Sequence, residues 1–162
     1  MNYDELCDVV FEEVIPKIQN HRGLAVFARE RAKFEGWLKV EIVTILSKHV
    51  KSVVPEKNRV DITFEDWAIE LKTVNTNLRY DNVRNKRKAI TKNTAGVVKD
   101  INKLRSVGTG NKAVIFVVFP ATPDNENWRV QLGRIQSELR RLEKSEFSFP
   151  GGMPGIMYCG LV

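Results

Sequence analysis

Asp61, Glu70 and Lys72 are the side chains whose types and spacing can do chemistry in this chain. Glu70-Leu71-Lys72 is its only Glu-x-Lys or Asp-x-Lys triplet, and it lies in an apolar run, Trp67 to Val74, that reads as a β-strand. A second such run, Arg59 to Phe64, precedes it across Glu65-Asp66, so the pair predicts a hairpin. In a hairpin symmetric about that turn, Phe64 faces Trp67, Ile62 faces Ile69 and Val60 faces Leu71. Side chains alternate along a strand, so these six apolar residues share one side of the ribbon. The other side receives Asp61 opposite Glu70, Thr63 opposite Ala68 and Arg59 opposite Lys72. Burial of the apolar set selects this register, because a slip of one residue would expose it.

Two carboxylates directly opposite each other, with Cβ atoms about 5 Å apart, repel. A divalent cation between them offsets that repulsion, and Mg²⁺ commonly takes one or two protein carboxylates plus water and substrate phosphate. Mn²⁺ is the expected substitute. Lys72 projects from the same side, where an ammonium can stabilise charge developing on a scissile phosphate.

Asp61, eight intervening residues and then Glu70-Leu71-Lys72 with apolar flanks resembles the signature of the PD-(D/E)XK, or restriction-endonuclease-like, nuclease superfamily. The resemblance covers roughly Phe34 to Phe119. It departs at Val60, which stands where the motif's name has proline. It implies a four-stranded mixed sheet flanked by helices, Mg²⁺ held by Asp61 and Glu70, and assistance from Lys72 in phosphodiester hydrolysis. It also implies a third carboxylate from the helix before the hairpin. On a helical wheel Glu41 falls between Trp37 and Phe34, and Glu35 between Ile42 and Leu46. Glu41 is preferred, because Trp37, Leu38, Ile42 and Ile45 surround it on the sheet-facing side; Glu35 is the alternative.

The elements that must hold these residues follow from periodicity. Tyr3, Leu6, Val10, Val14 and Ile18 predict a helix that breaks near Asn20. Leu24 to Val50 predicts a second. After the hairpin, Asn93 to Arg105 predicts a helix with Val97, Ile101 and Leu104 inward. Lys112 to Phe119 is a continuous apolar run suited to a strand buried on both faces. Asp124 to Lys144 predicts another amphipathic helix through Trp128, Leu132, Ile135, Leu139 and Leu142, and Pro154 to Val162 a last strand. The order implies an α/β fold, a mixed sheet covered by helices on both faces, in one domain spanning 1–162.

The 162 residues carry 26 Lys and Arg against 20 Asp and Glu, a net charge of +6. Between Asn75 and Lys92 the excess concentrates: Arg79, Arg84, Lys86, Arg87, Lys88 and Lys92 oppose Asp81 alone. Such a segment suits a polyanion, and these six residues are the expected phosphate contacts of a nucleic acid, DNA before RNA. Phosphate contacts fix position and carry no base sequence. With no separate base-reading module in view, selection by substrate structure, a homodimer or a separate targeting partner are the options. The bland counterpart is a charged hairpin and a solubilising loop, and between the two stands a nucleic-acid-binding module on the same fold whose catalysis is silent or conditional. No apolar stretch of membrane-spanning length occurs and the N-terminus is acidic, so a cytoplasmic protein without a membrane partner is expected. Cys7 and Cys159 are expected as free thiols, and the isolated His21 and His49 as ordinary histidines. Gly108 to Lys112 lacks phosphate-loop spacing and precedes a strand, so it reads as a turn.

Overall fold

The computed structural model describes residues 1–81, 83, 84 and 89–162. The first helix, α1 (Tyr3–Asn20), begins on a reciprocal cap in which Asn2 Oδ1 accepts from the Glu5 N–H and Glu5 Oε2 accepts from the Asn2 N–H. The segment read as one helix from Leu24 to Val50 is two. Helix α2 (Arg22–Arg29) stops at the left-handed Arg31 (φ 53°), and α3 (Glu35–His49) starts anew. Apolar spacing continues across the break, so periodicity alone does not register it. Strand β1 (Val53–Pro55) was not anticipated. Its proline is tolerated because the strand forms the sheet's edge.

The hairpin forms from β2 (Ile62–Phe64) and β3 (Trp67–Asn75) in the expected antiparallel register, with Ile62 opposite Ile69, Thr63 opposite Ala68 and Phe64 opposite Trp67. Regular pairing ends sooner than expected. Glu56, Asn58 and Arg59 all adopt positive φ around a 3₁₀ turn at Lys57–Arg59. Val60 thereby leaves the hairpin plane and packs in the opposite core from Leu71, and Arg59 does not face Lys72 across a ladder.

Helix α4 (Ile90–Arg105) crosses from β3 to β4 (Asn111–Phe119), which run parallel from Trp67 opposite Asn111 to Asn75 opposite Phe119. The helix expected over Asp124–Lys144 is shorter: α5 (Glu126–Gln136) ends at a turn, and Arg141–Ser148 is strand β5. Leu139 and Leu142 continue the helical spacing of α5 by coincidence. What makes β5 a strand is its ladder with β6 (Pro154–Leu161), and its exposed, charged Arg141, Lys144 and Glu146 suit an edge.

The result is an α/β architecture with a mixed six-stranded sheet in the order β1-β2-β3-β4-β6-β5. Helices α1 to α3 pack on one face over Ile62, Ile69, Leu71, Ile115, Val117 and Met157. Helices α4 and α5 pack on the other over Ala68, Val74, Val114, Phe116, Ile156 and Tyr158. Both faces of β3 and β4 are therefore covered. The hairpin side read from sequence as polar is covered too, with Ala68 and Glu70 buried beneath α4. Among the described residues no helix is long and apolar enough to cross a membrane.

Candidate functional site

Strand β2 ends its pairing at Ile62, and β3 runs on for six residues beyond Ile69. On that side the N–H groups of Leu71 and Thr73 have no neighbouring strand to bond, and two carboxylates take its place. Asp61 Oδ2 accepts from the Leu71 N–H (2.9 Å), and Glu35 Oε1 accepts from the Thr73 N–H (3.0 Å). The carboxylates thus sit one pleat apart along the edge of β3. Glu35 is the first residue of α3, where the positive end of the helix dipole favours an anion.

Glu70 and Lys72 project from β3 toward α4 and meet a complementary pair on one turn of that helix. Lys103 Nζ donates to Glu70 Oε1 (2.6 Å), and Lys72 Nζ lies 2.8 Å from Asp100 Oδ2. Acid and base alternate along the strand at i, i+2 and along the helix at i, i+3, so each side chain faces its opposite. Burial pushes the Glu70 carboxyl above its ordinary range; the bond from Lys103 opposes this, and the charges of Asp61 and Asp100 reinforce it. Burial alone would lower the Lys72 ammonium, but the bond to Asp100 and the nearby charges of Glu35 and Asp61 raise it above its ordinary value. Lys72 is therefore a fixed positive charge near neutral pH, suited to electrostatic work and unsuited to acting as a base.

Asp61 has its own cation. Lys39 of α3 lies 2.6 Å from Asp61 Oδ1 and also pairs with Glu56. The cluster thus contains Asp61, Glu70, Glu35 and Asp100 against Lys39, Lys72 and Lys103. Reading the sequence missed Asp100, Lys103 and Lys39. The spacing Asp100-x-x-Lys103 on a helix was a visible signal for the first two, whereas nothing local marks Lys39.

Glu41, the preferred helix carboxylate, is not in this cluster. It pairs with Lys17 of α1. One face of α3 looks to the sheet and another to α1, and a wheel drawn for one long helix from Leu24 cannot tell them apart. Glu35, the alternative, reaches β3. Of the six basic residues, Arg79, Arg84 and Lys92 are exposed, and Lys86, Arg87 and Lys88 lie outside the described residues. His21 caps α2 by accepting from the Leu24 N–H, and His49 pairs with Glu13. Trp128 is fully buried and donates to Tyr158 Oη (2.9 Å), a core role.

Among the described residues no group of three or more His, Cys, Asp or Glu side chains is arranged to hold a metal ion. The charges of Asp61 and Glu70 repel each other, and Lys39 and Lys103 offset them one apiece. Compared with protein-family models, curated proteins and solved structures, the chain matches none of them.

Proposed function

We propose that this chain is a Mg²⁺-dependent nuclease of the PD-(D/E)XK, restriction-endonuclease-like type, hydrolysing phosphodiester bonds of DNA in preference to RNA. One observation carries the reading: where β2 gives out, carboxylates replace a strand along the edge of β3, with Glu70 and Lys72 beside them. A solvated hairpin face gives no reason for four acids and three lysines to gather around one strand edge.

Asp61 and Glu70 are the residues that would hold the ion, with Glu35 the further carboxylate on the same strand edge. A divalent ion there supplies Lewis-acid charge to a phosphoryl oxygen. Lys72, held by Asp100, directs a permanent positive charge at the phosphate as its negative charge grows. Lys39 and Lys103, which pair with these carboxylates, would be released by the ion and become available to phosphate oxygens. Arg79, Arg84 and Lys92, together with Lys86, Arg87 and Lys88, supply sequence-independent attraction to the backbone.

A second reading has an observation in its favour. Asp61, Glu70 and Lys72 are each paired with an oppositely charged side chain within 2.8 Å, a self-neutralised arrangement that suits a nucleic-acid-binding module with silent or conditional catalysis. The test is incubation with single-stranded, duplex and branched DNA and with RNA, in Mg²⁺, in Mn²⁺ and in chelator. Cleavage in metal, abolished by chelator and lost in Lys72→Ala with binding retained, is the expected result. Binding without cleavage on every substrate would replace the nuclease with the binding module.

A further inference from the structure

Arg31 is an arginine in an unfavourable place on two counts. It adopts a left-handed conformation (φ 53°) at the end of α2, where glycine or asparagine is usual. It is also buried, with only 4% of its surface exposed. One guanidinium nitrogen, Nη2, donates to the Leu78 carbonyl (2.5 Å). Nε and Nη1 are buried and bond to nothing among the described residues. Burial depresses even this strongly basic group. A buried charge without a partner is costly, and strain of this kind persists where the surroundings hold it in place for a purpose.

Arg31 lines a cavity of ≈ 470 Å³, which Arg79, Arg84, Tyr80 and Asp81 also line. Three arginines against one aspartate leave an excess of positive charge around it. Arg84 is fixed there through its N–H, which donates to the Arg29 carbonyl (2.8 Å). The Arg31 carbonyl in turn accepts from Asn75 Nδ2 (3.4 Å) at the end of β3. That anchor stands three residues past Lys72, roughly 10 Å along the strand, or about three nucleotides of duplex rise.

We propose that this cavity is a phosphate-binding pocket, with the Arg31 guanidinium at its base and Arg79 and Arg84 at its mouth. Guanidinium forks match phosphoryl oxygens two at a time; on Arg31 such a fork pairs Nη2, which keeps one hydrogen beyond its bond to Leu78, with either Nε or Nη1. The phosphate belongs either to the terminus of a strand or to its internal backbone. Its source in a nucleic acid rests on the function proposed above, whereas its chemistry does not.

The test is done in chelator, without divalent metal, so that it remains informative if the nuclease reading fails. Fluorescence anisotropy measures binding of single-stranded oligonucleotides of one sequence bearing a 5′-phosphate, a 3′-phosphate or hydroxyl ends, with inorganic phosphate as competitor against sodium chloride of equal ionic strength. Variants are Arg31→Gln and, because a change at a buried residue can unfold the chain, the exposed pair Arg79→Ala and Arg84→Ala. A pocket for a terminal phosphate gives a preference of about tenfold for one phosphorylated end, the scale of one charge-assisted hydrogen bond. Inorganic phosphate and each variant abolish that preference. An internal-backbone pocket gives equal affinity for all ends, with phosphate competing beyond the salt control and each variant weakening binding by a similar factor. Competition no stronger than the chloride control, with undiminished affinity in every folded variant, overturns the proposal.

Discussion

Removing Lys103 tests whether its ammonium occupies the place of a metal ion. Lys103 Nζ is 2.6 Å from a Glu70 carboxylate that is only 5% exposed, while the lysine itself is 39% exposed. Breaking a fully buried pair by deleting one partner costs about 3–5 kcal/mol. Solvent reaches Lys103, so its share is screened and about 1–2 kcal/mol is expected for Lys103→Ala. For a chain of this size that lowers the melting temperature by roughly 2–8 °C. A divalent ion would reverse the loss. In the wild type it must displace the ammonium from Glu70, and in the variant it need not, so Mn²⁺ should bind the variant more tightly, by roughly tenfold or 1.4 kcal/mol. At a hundred times its dissociation constant it adds about 2.7 kcal/mol to the folded state, enough to offset the mutation. The assay is thermal unfolding by circular dichroism at mildly alkaline pH, in chelator and in rising Mn²⁺, with calorimetric titration of both proteins. If millimolar Mn²⁺ moves neither melting temperature, Glu70 is no metal ligand and the pair with Lys103 is structural.

Lys72→Ala should slow cleavage by a factor of roughly 10² or more while changing substrate affinity little, because its charge acts mainly in the transition state; single-turnover rates beside equilibrium binding measure the two, and undiminished cleavage would release Lys72 from the role. Glu35→Gln should weaken Mn²⁺ binding more than Glu41→Gln, since Glu41 is engaged with Lys17; calorimetry giving the reverse order would contradict the geometry. Glu70 has a folded pKa above its unfolded value, so the native state holds its proton longer and stability is lost as pH rises through that raised value. The stability difference between Glu70→Gln and the wild type should accordingly shift in the variant's favour from about pH 4 upward, and pH-dependent unfolding showing a constant difference would refute the shift. Replacing both Arg79 and Arg84 by Gln should flatten the salt dependence of duplex binding by roughly 0.9 for each arginine that neutralises a phosphate, which titrations across a salt series would detect.

The hairpin register was legible because Ile62, Phe64, Trp67 and Ile69 can be buried together in only one pairing. The same logic failed at Val60. Three departures to positive φ, at Glu56, Asn58 and Arg59, end the ladder early, and none of these residues is a glycine that would have announced it. Glu35 was the lesser candidate and Glu41 the preferred one, since apolar neighbours on a helical wheel mark a buried side without saying what buries it. In α3 part of that side meets α1, through Lys17 and Glu41. The β5 strand was hidden for a related reason, because an edge strand whose side chains mostly reach solvent carries little pattern of its own.

The sequence by itself determined the hairpin pairing, the strand that carries Glu70 and Lys72 and the buried run Lys112–Phe119, because alternation and apolar burial are local consequences of residue order. It also determined the basic segment after β3. Only the tertiary structure decided which carboxylates meet. Asp61 and Glu35 converge because β2 is too short to satisfy the N–H groups of Leu71 and Thr73, and Asp100 and Lys103 join because the α4 crossover lays its charged turn across Glu70 and Lys72. A backbone donor left without its strand is satisfied by whatever acceptor the fold brings near, and that depends on where strands end and helices cross, which no local pattern encodes.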